Sequence, residues 1–212
     1  MRRSMGLVGA LVAVLGVAGC GAGEGAAGRG GDGLRAGSGG ALDTSERDGL
    51  LFLREEEKLA RDVYRALGAK DAVFSNIQES EQRHMDSVLN LLERYDVPDP
   101  AAARADGDFA NATLKALYGQ LVAKGSTSTL TALEVGVEIE ELDVHDIREL
   151  QKTTGHTDLS NVHDNLTRGS RNHLRTFYGR LVALGGTYTP RHLDAATFDA
   201  IVQSPMETGP AF

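Results

Sequence analysis

The sequence predicts an all-α fold: an up-down four-helix bundle of the ferritin-like kind, with one long crossover. From about position 45 onward, apolar residues recur every three or four positions, and few segments alternate as strands do. Proline is sparse inside those periodic runs. Four of the runs are long, and the connection between the second and third is much the longest.

The first long helix is expected from about Ser45 to Leu67, with Asp43, Thr44 and Ser45 as candidate N-caps and Gly68 as a stop. Its apolar stripe is Leu50, Leu53, Ala60, Tyr64 and Leu67, and Glu57 intrudes into it. The second is expected from about Asp71 to Tyr95, ending before Pro98. Its stripe of Phe74, Ile77, Val88, Leu91 and Tyr95 contains Glu81 and His84, which are three apart and share a face.

The crossover should hold a short helix from about Asn111 to Lys124, ended by Gly125, with Leu114, Leu117, Tyr118 and Leu121 on one side. The third long helix is expected from about Ser128 to Lys152. Its stripe of Leu130, Leu133, Val137, Val144 and Ile147 contains Glu140. A second apolar face (Val135, Ile139, Leu142, Leu150) leaves Glu141 and then Glu138 as fallback positions for that acid. The fourth is expected from about Leu159 to Leu184, stopped by Gly185-Gly186, with Leu166, Ser170, His173, Phe177 and Leu181 in line and His163 one turn earlier. A short terminal helix, about Ala195 to Gln203, should pack on the bundle end together with Tyr188-Thr189-Pro190.

The N-terminal part has a different character. Met1-Arg2-Arg3 precedes an uncharged stretch from Ser4 to Ala18, the form of an export signal. Val17-Ala18-Gly19-Cys20 resembles a bacterial lipobox, so residues 1–19 are expected to be removed and Cys20 lipidated. Residues 21–40 contain ten glycines, and segment 20–44 reads as a flexible tether. The folded domain is then 45–212. The protein is expected to be exported and held at the outer face of the cell membrane by its lipid anchor, alone or as a homodimer.

Composition narrows the function. The 212 residues are 41% apolar, enough for one domain, and the formal net charge is -8. That balance argues against a nucleic-acid partner, which calls for a basic stripe. Cys20 is the only cysteine, so no internal disulfide, cysteine zinc site or CxxC redox pair can be built. The sequence has no GxSxG, HExxH or phosphate-cradling loop, which argues against a hydrolase.

The polar intruders carry the argument. Each long helix places an ionisable group in its apolar stripe. An unpaired buried charge costs several kcal/mol, against a whole-domain margin of roughly 5–15 kcal/mol. Each group alone has a simpler account: Glu57 pairs with Arg54, Lys58 or Arg61, and His84 and His173 hydrogen-bond Tyr64 or Tyr95. All four helices together call for a shared neutraliser, and a divalent cation takes carboxylate and imidazole as ordinary ligands.

Several segments resemble a known family. They are Arg54-Glu55-Glu56-Glu57-Lys58-Leu59-Ala60-Arg61-Asp62-Val63-Tyr64, Phe74 through His84-Met85, and Gly136-Val137-Glu138-Ile139-Glu140-Glu141. Asn165-Leu166, Gly169-Ser170-Arg171-Asn172-His173-Leu174 and Tyr188-Thr189-Pro190 follow. Together they resemble the ferritin-like domain family of bacteria and archaea catalogued as a domain of unknown function, over about residues 45–203. More distantly, Glu57 with Ala60 and Tyr64, and Glu81 with His84, are similar to ligand motifs of rubrerythrins and bacterioferritins. The resemblance implies a transition metal, iron first with manganese or zinc admissible, held by Glu57, Glu81, His84, Glu140 and His173. Tyr64 and Ser170 would support those ligands.

Ser170 stands where the resemblance implies a further carboxylate. Glu57, Glu81 and Glu140 bring three negative charges, one too few for two divalent ions and one too many for a single ion. One- and two-ion sites both stay open. If the site is catalytic, the reaction class is metal-dependent oxidation-reduction with dioxygen or peroxide; otherwise it scavenges metal. The alternative is a metal-free helical module that binds another envelope protein through an exposed face at Leu114–Leu121.

Overall fold

The structure is a computed structural model, and it describes residues 40–209. The predicted leader, Cys20 and nearly all of the glycine-rich tether lie outside the described residues. Among the described residues there are six helices and no strand: α1 (Thr44–Leu67), α2 (Ala72–Arg94), α3 (Ala112–Gly125), α4 (Thr129–Gln151), α5 (Thr157–Ala183) and α6 (Ala195–Gln203). The expected helical bundle is there, with each boundary within about two residues of the sequence expectation.

Local chemistry explains the boundaries. Asp43 caps α1 in a reciprocal box with Glu46. The Glu46 carboxylate also accepts the backbone N–H groups of Gly155 (2.8 Å) and His156 (3.1 Å), tying the start of α1 to the α4–α5 turn. Asp71, Asn111, Ser128 and Asp194 cap α2, α3, α4 and α6. Gly185 leaves α5 with φ +80°, the left-handed region expected of a helix-terminating glycine. α3 ends at Gly125 as expected, although not through a left-handed conformation. A Cβ there would lie 2.5 Å from Leu67.

Short turns join α1 to α2 and α4 to α5, and the segment carrying α3 crosses between the two pairs. α1 also packs on α4, and α2 on α5. Gly49 lies by Leu150 while Tyr64 reaches Glu140, so α1 and α4 are antiparallel. Asp71 pairs with Arg180 and Arg94 with Asp158, so α2 and α5 are antiparallel too.

One end of the bundle holds Leu50, Leu53, Val88, Leu91, Leu92, Ile147, Leu159 and Leu166. The other holds a triangle of Tyr64, Phe74 and Phe177 with ring centroids 5.1–5.8 Å apart. The charged layer lies between these two apolar plugs.

The crossover determines the fate of α1's charge run. Arg54 forks onto Asp99 (3.0 and 2.9 Å) and donates to the Met85 carbonyl. Lys58 pairs with Asp62 and reaches the Ala105 carbonyl. Arg61 engages Asp62 and Gln82. Glu55 accepts the backbone N–H groups of Ala110 and Asn111 at the start of α3. All three cations offered as simple partners for Glu57 are therefore engaged elsewhere. The apolar side of α3 is also covered, with Leu114 and Leu121 buried. Leu117 and Tyr118, on the same side, stay half-buried.

Candidate metal centre

Glu57 from α1, Glu81 and His84 from α2, Glu140 from α4 and His173 from α5 meet in the buried layer. Glu81 is the hub. Its Oε2 lies 2.8 Å from His84 Nδ1 and its Oε1 lies 2.7 Å from His173 Nδ1. Each imidazole has a second acid beside it: Glu57 Oε2 at 3.1 Å from His84 Nδ1, and Glu140 Oε2 at 3.5 Å from His173 Nδ1. The two rings stack with centroids 5.4 Å apart. Glu81, His84 and His173 form a buried group able to hold a metal ion.

Tyr64 donates its hydroxyl to Glu140 Oε1 at 2.6 Å, and Tyr95 donates to Asp158. Neither tyrosine hydroxyl is given to His84 or His173. His163, one turn before the layer, sits by Thr154 Oγ1 at 3.4 Å, outside this group. Gly169 is what lets α5 approach the site: a Cβ there would lie 2.5 Å from His84 Nε2.

The structure also brings in acids that the sequence reading missed. Asp143, one turn beyond Glu140, is buried and accepts the Ser170 hydroxyl at 3.0 Å. Glu56 and Asp146 are buried as well. Both Glu56 oxygens, Glu57 Oε1 and Asp143 Oδ1 meet no hydrogen-bond donor among the described residues. His145 Nδ1 lies 2.7 Å from Asp146. Glu56 was hidden in the run Glu55-Glu56-Glu57, which reads as a solvated charge face. Asp143 and Asp146 were hidden because α4 is buried on more than one face, so a single stripe does not delimit its interior. The i, i+3 spacing from Glu140 was the available signal.

The fallback acids have other work. Glu141 Oε1 accepts the backbone N–H groups of Arg191, His192 and Leu193, each at 2.8 Å, and its Oε2 accepts the Tyr188 hydroxyl at 2.6 Å. It anchors the segment before α6, where Tyr188 stacks on Phe198. Glu138 pairs with Lys124 and Arg191.

Electrostatics follow from this crowding. Burial and neighbouring Asp146 and Asp143 push Glu56 well above the usual carboxylate range. Burial and the charges of Glu57, Glu140 and Glu81 do the same to Asp143, with His84 opposing. Burial lifts Glu57 to about 7 even though His84 pulls it down. Burial would lower His84, but Glu81 and Glu57 raise it to about 10. His173 is likewise raised by Glu81 and Glu140 against its burial. Without a metal, Glu81 favours the charged form of both imidazoles, while burial pulls Glu56, Glu57 and Asp143 toward their protonated forms.

A cavity of about 420 Å³ has His84 and His173 in its wall. Arg83, Arg168 and Asn172 line it, together with the tail segment Glu207–Gly209.

The family described as an uncharacterized protein domain (DUF2202) matches residues 46–205. The chain belongs to this family. It is similar to the uncharacterized protein MJ0754 of Methanocaldococcus jannaschii, 44% identical over 170 residues that cover 79% of this chain and 92% of the relative. The crystal structure of hypothetical protein MJ0754 from Methanococcus jannaschii matches with a TM-score of 0.79 at 42% identity, covering 82% of this chain and all of the other. This DUF2202 member thus shares its fold with a solved relative, and the family description names no activity.

Proposed function

We propose that this protein is a metal-binding, ferritin-like bundle whose core holds two divalent transition-metal ions, iron first and manganese or zinc as alternatives. One observation carries the proposal: two imidazoles approach opposite oxygens of one buried carboxylate, each with its own second glutamate. His84, Glu57 and Glu81 would hold one ion, and His173, Glu140 and Glu81 the other.

The residues fit such ions in both donor type and charge. Glu57, Glu81 and Glu140 bring three negative charges, and buried Asp143, Glu56 and Asp146 beside them offer the further acid that two divalent cations need, and more. Asp143 makes good the acid that Ser170 lacks. Buried carboxylate oxygens without donors are what a cation would satisfy. A purely structural network of this kind is a poor stabiliser, since well-packed apolar side chains do as well or better.

Redox-active ions, when bound, supply one-electron chemistry toward dioxygen or peroxide. The chain's own residues orient that site. Tyr64 fixes the rotamer of Glu140 through its hydroxyl. Ser170 holds Asp143. The cavity of about 420 Å³ beside His84 and His173 would give a small oxidant a way to the site. Scavenging of metal without turnover uses the same site.

The test is metal content after anaerobic loading with Fe(II), measured by mass spectrometry. Two equivalents in the parent and none in the Glu81→Ala, His84→Ala double variant support the proposal. No metal in a folded parent defeats it.

We also propose export and lipid anchoring through Cys20, on the lipobox-like Val17-Ala18-Gly19-Cys20. Labelled fatty acid should enter the native protein and not Cys20→Ala. Equal labelling, or none, would overturn the anchor.

A further inference from the structure

We infer that a second pocket, separate from the metal layer, binds a small organic anion with a carboxylate or phosphate head and a short apolar body. The pocket is about 580 Å³ and lies between α4, α5, α6 and the segment after α6. Three arginines face it: Arg148 from α4, and Arg171 and Arg175 from α5.

Two of the three are already committed. Arg171 forks onto Glu207 at 2.7 and 2.5 Å. Arg175 reaches Glu207 at 2.8 Å, Ser204 Oγ at 2.7 Å and the Ile201 carbonyl at 2.9 Å. Asn172 exchanges two hydrogen bonds with the Glu207 backbone. The tail thus lays one carboxylate on this wall, an internal example of the chemistry the wall accepts.

Arg148 is different. It is half-buried, lines the same pocket, and makes no direct hydrogen bond or ion pair among the described residues, although the charges of Asp194 and Glu207 act on it from farther off. A guanidinium fork matches carboxylate and phosphate oxygens. Ala200, Ile201, Pro205 and Met206 add apolar surface to the lining beside Thr197 and Ser204, and Met206 is 55% exposed. Three guanidiniums against the single carboxylate of Glu207 leave the lining net positive, which calls for an anionic head. The apolar surface calls for a short hydrocarbon body attached to it.

The test uses the full protein, with hexanoate and inorganic phosphate as probes and isothermal titration as the readout. Hexanoate should bind saturably. Arg148→Gln should weaken it by roughly tenfold or more, the worth of one charge-assisted hydrogen bond, with helicity and Fe(II) content unchanged. Met206→Asp, on the exposed wall, should weaken hexanoate and spare phosphate. Phosphate should bind more weakly than hexanoate. No binding of either probe, or equal affinity in Arg148→Gln, would overturn the site. Phosphate binding as tightly as hexanoate would overturn its assignment to an organic ligand. Because metal content is read in parallel, failure here is distinct from failure of the metal proposal.

Discussion

The Ser170 hydroxyl on α5 donates to the Asp143 carboxylate on α4 across 3.0 Å, inside the bundle. The serine marks a place where the resemblance implies an acid, and the helix facing it supplies that acid instead. On the proposed two-ion reading, Asp143 would supply the carboxylate that Ser170 does not. Asp143→Asn removes that charge while keeping size and shape. Metal content should fall from two equivalents to one, with helicity retained, as measured by mass spectrometry after Fe(II) loading.

Protonation gives a second expectation. In the metal-free protein His84 is raised to about 10 by Glu81 and Glu57 against its burial, from an ordinary value of about 6.5. The folded state therefore binds more protons than the unfolded one across that window. The resulting stability is fully present below about pH 6.5 and is lost as pH rises through about 10. Glu57, lifted to about 7 by burial against the pull of His84, adds a fall of the same sign at lower pH. The urea midpoint of the metal-free protein should drop between pH 6.5 and 10. Metal-loaded protein, whose histidines are already deprotonated, should hold its midpoint there.

Gly169 sits where a Cβ would come within 2.5 Å of His84 Nε2. Gly169→Ala should cost roughly 1–3 kcal/mol by overpacking. It should also displace the His84 ring, weakening metal retention by about 10–100-fold, the usual scale for disturbing a ligand's support. Competition with a coloured chelator reads the second effect separately from the first.

Glu141 provides the contrasting case. Glu141→Ala strands three backbone N–H groups and the Tyr188 hydroxyl. It should destabilise the fold by on the order of 3 kcal/mol in urea denaturation. Metal content should not change, because the adjacent Glu140, not Glu141, points into the layer.

The boundaries of α1 to α6 were legible because periodicity, caps and breakers agree along the chain. Asp43 with Glu46, Asn111, Ser128 and Gly185 all do locally what their residue types favour. The intruders Glu57, Glu81, His84, Glu140 and His173 were legible because each interrupts an otherwise apolar stripe. Glu56 was not, since its burial depends on residues 96–111 covering α1 and claiming Arg54, Lys58 and Arg61. Asp143 and Asp146 were not, since α4 is enclosed by neighbours on several sides. The role of Glu141 depends on a loop some fifty residues later in the chain, and no local pattern announces that. Helix periodicity reports one buried face, and everything missed lies on a face that only tertiary packing buries.

The central claim is that Glu81 is shared between two metal ions, one beside His84 and Glu57, the other beside His173 and Glu140. Anomalous diffraction from Fe(II)-loaded crystals, recorded on both sides of the iron absorption edge, tests it most directly. The account predicts two iron peaks flanking the Glu81 carboxylate, with Asp143 turned toward them. A single peak, or no peak with Glu81 still bracketed by the two imidazoles, would contradict it.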